Sequence, residues 1–314
     1  METALNPDRF FVGLFLQVDT SAGGRYDRDE VLGQLPENEP WYASRVRCAT
    51  MDARHSTGPC FARALCQSLY RGEDYVLQVD SHMRFRRNWD AYLIDQLGIC
   101  ESTGSSNKSM LSTYPVGYLL PDDVPNECRG TVLEPWKFGE DGMLRQRGRF
   151  FSNQPSKPVL CRLFAGGFNF SRGDVIRDVP YDGSLHHLFF GEEASMALRL
   201  YVASYDLYAP AESVCYHLWS RSHRPTPVVA PWVDREAVRR RREISMAIVQ
   251  EQLVNSNTSH GDEHRANEAH KGRTASGFAS AIGVDFRARR VLERHDDKEV
   301  TADALLFQQH DDKE

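Results

Sequence analysis

Two strand-and-helix units stand back to back early in this chain, and that alternation limits the folds open to it more than any other feature. Arg45 to Asp52 reads as a short strand whose arginines leave it half exposed. Pro59 to Tyr70 then places Phe61, Ala64, Leu65, Ser68 and Leu69 at helical intervals, with Gly72 as terminator. Behind the turn-like Arg71-Gly72-Glu73-Asp74, the mostly apolar run Tyr75 to Asp80 reads as a buried strand. Asn88 is placed to cap a helix with Trp89, Leu93, Ile94 and Leu97 inward and Gly98 as its stop. Strand, helix, strand and helix in succession predict an α/β domain built on a parallel sheet.

The rest of the chain adds less regular pieces. Phe10 to Val18 is strand-like, and Asp19 to Arg28 is loop-like. Gly98 to Pro158 is rich in Gly, Pro, Ser and Asn; Met110 to Tyr114 and Val132 to Phe138 are its two predicted strands, with surface loop between. Val159 to Phe170 is apolar but broken by Ala165-Gly166-Gly167, and paired glycines there mean a bulge or the close approach of a ligand or of another stretch of backbone, with packing and ligand readings both open. Glu192 and Glu193 suit the first turn of a helix with Met196, Ala197, Leu200 and Tyr201 inward. Val214 to Trp219 is a strand carrying His217 among apolar residues, the setting of a hydrogen-bonded core histidine or of a ligand. A basic helix follows, with Val238, Ile244, Ala247, Ile248 and Leu253 apolar and Arg239 to Arg242 as a solvated face. The expected division is a main domain over 1–254, a polar linker over 255–275, a short appendage over 276–292 and an acidic, disordered tail over 293–314.

The chain's 314 residues are enough for one large core. A net charge of -6 argues against a general nucleic-acid binder. No segment approaches the roughly 20 apolar residues of a membrane span, and no secretory signal opens the chain. Seven scattered cysteines without paired short spacings favour reduced thiols and a cytoplasmic protein.

Candidate chemistry sits at the end of the second strand, in Asp80-Ser81-His82. Side chains alternate along an extended chain, so Asp80 and His82 face one way and converge on a point. One carboxylate oxygen and one imidazole nitrogen suit a borderline divalent cation such as Mn²⁺ better than Ca²⁺. The same triplet also reads as a turn residue beside a solvated histidine. Its position favours a ligand, because α/β sheets bind ligands beyond the carboxyl ends of their strands.

Several blocks together, RGEDYVLQVDSHMRFRRNWD, LSTYPVGY, HHLFFGEEASMALRLY and VCYHLWSRSHRP, closely resemble the polypeptide α-N-acetylglucosaminyltransferases of the cytoplasmic, hydroxyproline-modifying type. The likeness spans about Arg9 to Arg224, with an echo in SGFASAIGVDFRARRV. The mucin-type polypeptide N-acetylgalactosaminyltransferases are more distantly similar. The resemblance implies a GT-A, Rossmann-like fold that uses UDP-GlcNAc as donor, Mn²⁺ or another divalent cation, and a protein hydroxyl, such as hydroxyproline, as acceptor. It implies Asp80, His82 and His217 as metal ligands. Arg54, Gly58 and Arg63 of DARHSTGPCFAR would face the nucleotide, Gly166 and Gly167 would lie beneath the donor sugar, and Glu192 and Glu193 would contact sugar hydroxyls. Trp219, Arg221 and Arg224 would form part of a lid over the diphosphate. Members of this family begin with a further strand of the type FVSLASYRD, so the resemblance also implies a GT-A domain lacking its first strand.

The family's reaction retains the α-linkage, either through a carboxylate nucleophile, with Glu192 and Glu193 as candidates, or by a front-face route needing none. Two other readings compete. A sugar-binding or protein-binding relative would keep the fold without turnover, and a metal-dependent hydrolase would use the same Asp and His residues.

Overall fold

The structure, a computed structural model, describes residues 3–18, 33, 44–104, 106–120, 123–126, 128–220, 233–254 and 273–292. The loop expected at 19–28, most of the linker at 255–275 and the tail at 293–314 lie outside the described residues.

β1 (Val12–Val18) and β2 (Val46–Asp52) pair in parallel, from Val12 opposite Val46 to Val18 opposite Asp52. Helix α1 (Pro59–Gln67) follows β2 with proline in its first turn, where a missing N–H costs nothing.

The main sheet has the order β3-β10-β5-β11-β9, with β3 Tyr75–Val79, β10 Phe168–Arg172, β5 Ser109–Ser112, β11 Asp206–Ala209 and β9 Val159–Leu160. Only β5 and β11 run parallel; every other pair in it is antiparallel. The α/β class holds, but the expected parallel sheet is mixed. β3 is a half-buried edge strand rather than a buried interior one, because its partner β10 arrives antiparallel from 90 residues downstream, beyond the reach of any local pattern. The predicted strand over Val159 to Phe170 is two short strands separated by an irregular passage through Ala165-Gly166-Gly167.

A second sheet joins β4 (Met83–Phe85), β12 (Cys215–His217) and β6 (Val116–Gly117). Its register sets His217 opposite Met83, and the Leu218 N–H donates to the His82 carbonyl at 3.1 Å. A hairpin of β7 (Thr131–Phe138) and β8 (Leu144–Phe150) stands where loop was expected after Phe138. LRQRGRF hides its strand character because three arginines interrupt the apolar alternation. β13 (Val284–Asp285) and β14 (Arg290–Val291) form a last antiparallel pair.

Helix α2 (Trp89–Thr103) runs through Gly98, which faces open space, and ends at Gly104, whose N–H reaches the Cys100 carbonyl at 2.8 Å. Its buried stripe is Leu93, Leu97 and Cys100, while Ile94 lies outside it. Asn88 gives no side-chain cap; the helix start is tied instead by Asp90, which accepts the Leu5 and Asn6 N–H groups at 2.7 and 2.9 Å. Short α3 (Val175–Asp178) precedes α4 (Glu192–Val202), which buries Met196, Ala197 and Leu200 as expected. Helix α5 (Arg235–Val254) buries Ser245, Val249 and Leu253, so Ile244 and Ile248 face outward against expectation. Its arginine run is a solvated face, as Arg239 and Arg240 pair with Glu236. Helix α6 (Ala275–Ile282), in the segment expected as an appendage, puts Phe278 and Ile282 into one core with Leu200, Val249 and Phe286. All seven cysteines are free. Among the described residues no helix is long and apolar enough to cross a membrane.

Candidate active site

Three chain segments meet where β3 ends. The Asp80 N–H donates to the Gly167 carbonyl at 3.2 Å, extending the β3–β10 ladder by one bond. On the other side the β4–β12 register delivers His217, whose Nε2 stands 3.5 Å from Asp80 Oδ2. From α1, Arg63 reaches the same carboxylate, with a terminal nitrogen 3.6 Å from Oδ1.

The two glycines have a direct steric reason. A Cβ on Gly166 would lie 2.6 Å from an Arg63 nitrogen, and one on Gly167 would lie 2.8 Å from Asp80 Oδ2. Neither has a positive φ, so what they supply is space for those two side chains.

Arg63 also forms an ion pair with Glu192, which is 4% exposed at the start of α4. The Tyr181 hydroxyl donates to the same Glu192 oxygen at 3.0 Å, and Gln78 of β3 donates to the Tyr181 oxygen at 3.0 Å. Burial works against the Arg63 charge, yet Tyr181, Glu192 and Asp80 hold its guanidinium above the usual range. Burial and the charge of Glu192 push the Tyr181 hydroxyl well up, so it stays a donor.

Glu193 points the other way, toward the hairpin. It accepts from the Tyr114 hydroxyl at 2.5 Å, from Gln146 Nε2 at 2.9 Å and from the Gly166 N–H at 2.8 Å. Burial raises its carboxyl to about 7 with help from the Glu192 charge, and the Tyr114 and Gly166 hydrogen bonds pull in the opposite direction.

His217 is 7% exposed and packs against Trp219, ring centroids 4.2 Å apart. Trp219 is fixed in turn by donating Nε1 to the Pro115 carbonyl at 3.1 Å. The His82 ring is 5.5 Å from the His217 ring, with its Nδ1 2.9 Å from Ser81 Oγ. Among the described residues no set of three His, Cys, Asp or Glu side chains forms a closed ligand group. Asp80 and His217 nevertheless fit a metal pair, because ligand atoms each about 2.1 Å from one ion stand roughly 3 to 3.5 Å apart. With His82 beside them, the set of one oxygen and two nitrogens suits a borderline divalent cation.

The structure thus gathers Arg63, Asp80, His82, Gly166, Gly167, Glu192, Glu193, His217 and Trp219. It treats the other candidates differently. The Arg54 guanidinium is engaged by Asp52 at the end of β2, at 2.9 Å from Nε to Oδ1. Gly58 has φ +101°, and a Cβ there would sit 3.0 Å from His187 Cα, so backbone packing accounts for it. Arg221 and Arg224 lie outside the described residues. Sequence reasoning passed over Tyr114, Gln146, Tyr181 and Gln78. Tyr114 and Gln78 stand inside the quoted blocks LSTYPVGY and RGEDYVLQVDSHMRFRRNWD and were within reach; Gln146 lies on a strand where loop is expected, and Tyr181 carries no local signal.

Comparison with known proteins follows this geometry. Residues 3–286 match the family described as Glycosyltransferase (GlcNAc). No curated protein matches the chain. Among solved structures the chain is similar to GalNAc-T7, crystallised with UDP, GalNAc and Mn²⁺, at 14% identity and a TM-score of 0.47. That likeness covers 85% of this chain and 51% of the other, so the chain spans about half the length of that protein. On the match over residues 3–286, the chain belongs to the GlcNAc glycosyltransferase family.

Proposed function

We propose that this protein transfers N-acetylglucosamine from UDP-GlcNAc to a hydroxyl on a protein, with hydroxyproline as the first acceptor to try, in a reducing, cytoplasmic setting. The observation that carries the reading is the convergence of Asp80, His217, Arg63 and Glu192 at the end of β3, around two glycines that leave them room. Asp80, His82 and His217 would hold Mn²⁺ or another divalent cation, which neutralises charge on a departing nucleoside diphosphate. Arg63 adds a fixed, permanently charged guanidinium beside that diphosphate position. Trp219 keeps the His217 ring in place from behind, and Glu192, oriented by Arg63 and Tyr181, is the carboxylate available to accept hydrogen bonds from sugar hydroxyls.

Both carboxylates are already engaged, Glu192 by Arg63 and Tyr181, and Glu193 by Tyr114, Gln146 and Gly166. Both oxygens of Glu193 are held and Glu192 is paired with Arg63, so the proposed transfer follows the front-face route, which needs no carboxylate nucleophile.

A panel of UDP-sugars with Mn²⁺ and a hydroxyproline peptide tests the proposal by mass spectrometry of the peptide. The expected result is a single N-acetylhexosamine added from UDP-GlcNAc, lost in Asp80→Ala and His217→Ala proteins that keep their Tm. Mn²⁺-dependent UDP binding with no transfer to any acceptor would point to the non-catalytic relative. Free sugar released faster than any acceptor product would point to a hydrolase.

A further inference from the structure

Between β9 and β10 the chain passes through Phe164-Ala165-Gly166 without strand pairing, and side chains take over the work of a ladder. The Phe164 carbonyl accepts from Gln146 Nε2 at 2.7 Å. The Ala165 N–H donates to Ser112 Oγ at 2.7 Å, and the Ala165 carbonyl accepts from Asn169 Nδ2 at 3.0 Å. The Gly166 N–H donates to Glu193 at 2.8 Å, and the Gly166 carbonyl accepts from Gln78 Nε2 at 2.7 Å. Every backbone polar group from the Phe164 carbonyl to the Gly166 carbonyl is thus held by a side chain, and the holders come from β3, β5, β8, β10 and α4. Phe164, Ala165 and Gly166 are buried, so each of these backbone groups needs a partner, and side chains rather than a neighbouring strand supply all five.

What this passage carries is the position of two absent Cβ atoms. Gly166 is 2.6 Å, measured from its would-be Cβ, from Arg63, and Gly167 is 2.8 Å from Asp80. A shift of the passage by a fraction of an ångström changes the room left for the Arg63–Asp80–Glu192 cluster.

We infer that Glu193, held with Tyr114 and Gln146, is a positioning residue: it fixes the Gly166 backbone, and through it the Arg63 and Asp80 side chains, and it does not touch donor or acceptor. This deepens the proposed transfer reaction and rests on it for the kinetic half of its test. The two adjacent glutamates divide the work because successive helical residues point about 100° apart. Glu192 faces Arg63 and Tyr181, while Glu193 faces the hairpin, where its second oxygen takes the Tyr114 hydroxyl and Gln146 together. Gln146 completes the clamp, its two Nε2 N–H groups shared among the Phe164 carbonyl at 2.7 Å, Glu193 at 2.9 Å and, more weakly, the Tyr114 oxygen at 3.1 Å. Tyr114 continues it toward the metal side, its ring edge-on to Trp219 at 6.1 Å, which itself backs His217.

The test uses the whole chain with Gln146→Ala, Glu193→Gln and the double variant. Backbone amide exchange, read by mass spectrometry over 164–168, is independent of turnover. The expected result is loss of protection of about tenfold or more in each single variant, with no further loss in the double. In the transfer assay kcat/KM falls by about 10- to 100-fold, and the affinity for UDP with Mn²⁺ weakens along with it, because Arg63 and Asp80 are the groups displaced. Unchanged protection over 164–168 overturns the inference, as does a UDP-GlcNAc affinity that falls in Glu193→Gln while the affinity for UDP with Mn²⁺ holds, the signature of a group that touches the sugar. Additive losses of kcat in the double variant also overturn it, since two members of one clamp must couple. An inactive parent chain sinks the proposed reaction instead, and amide exchange still decides the inference.

Discussion

Gly167→Ala probes the site at its tightest steric point. The added methyl would be placed 2.8 Å from Asp80 Oδ2 and 3.3 Å from Asp80 Cγ. Ordinary contact needs about 3.4 Å or more, so the carboxylate has to retreat by roughly half an ångström or rotate. Its side chain is 40% exposed and has somewhere to go, and Gly167 adopts no positive φ, so the fold tolerates the change. The expected stability loss is below about 1 kcal/mol. The proposed cation site would not tolerate it, because Asp80 Oδ2 would have to stay 3.5 Å from His217 Nε2 to share an ion with it. Displacing a ligand from behind typically weakens metal binding by about 10- to 100-fold, or roughly 1.4 to 2.7 kcal/mol. Mn²⁺ titration by calorimetry or by electron paramagnetic resonance reads the affinity, and calorimetric melting reads the fold. Parent-like Mn²⁺ affinity in a variant with a parent-like Tm would refute the reasoning, since it would mean that Asp80 does not need the space Gly167 leaves. A large fall in Tm would refute it differently, by making Gly167 a fold residue first.

Three further outcomes are expected. Arg63→Met strands the buried Glu192 carboxylate and costs about 3 to 5 kcal/mol in urea melts, whereas Arg63→Met combined with Glu192→Gln recovers a good part of it; equal destabilisation of single and double would contradict the pairing. The folded state holds the Glu193 proton more tightly than an unperturbed carboxyl at 4.5, so this group's contribution to stability is full below about pH 4.5 and is lost as pH rises through about 7. The loss amounts to at most about 3 kcal/mol, and Glu193→Gln should flatten that slope in melts taken between pH 4.5 and pH 8; an unaltered slope would assign it elsewhere. Phe278→Ala should lower stability by about 3 to 5 kcal/mol in a single cooperative transition, because α6 shares its core with α4 and α5; a separate early transition would make the C-terminal segment an independent piece.

Local chemistry fixed much of this protein in advance. Apolar runs bounded by turn residues placed the strands around Val46, Tyr75 and Cys215 and the helices after Gly58 and Gly191, because periodicity and capping act within a few residues of chain. The triplet Asp80-Ser81-His82, the paired glycines and the paired glutamates were legible too, as residue types whose spacing suits a cation and a polar ligand. What the sequence could not carry was anything set by pairing across long separations. β10 returning antiparallel beside β3, and β12 slotting against β4, are decided by how sheets close on a shared core. Those two registers, and no local signal, bring His217 to Asp80 and Gly167 beneath it. The hairpin strand Leu144–Phe150 stayed hidden for the same reason, since Arg147 and Arg149 find their partner Glu134 on β7, and Gln146 finds Glu193, only once the chain has folded. Residue chemistry is written along the chain, and distance between residues far apart in it is a property of the packed whole.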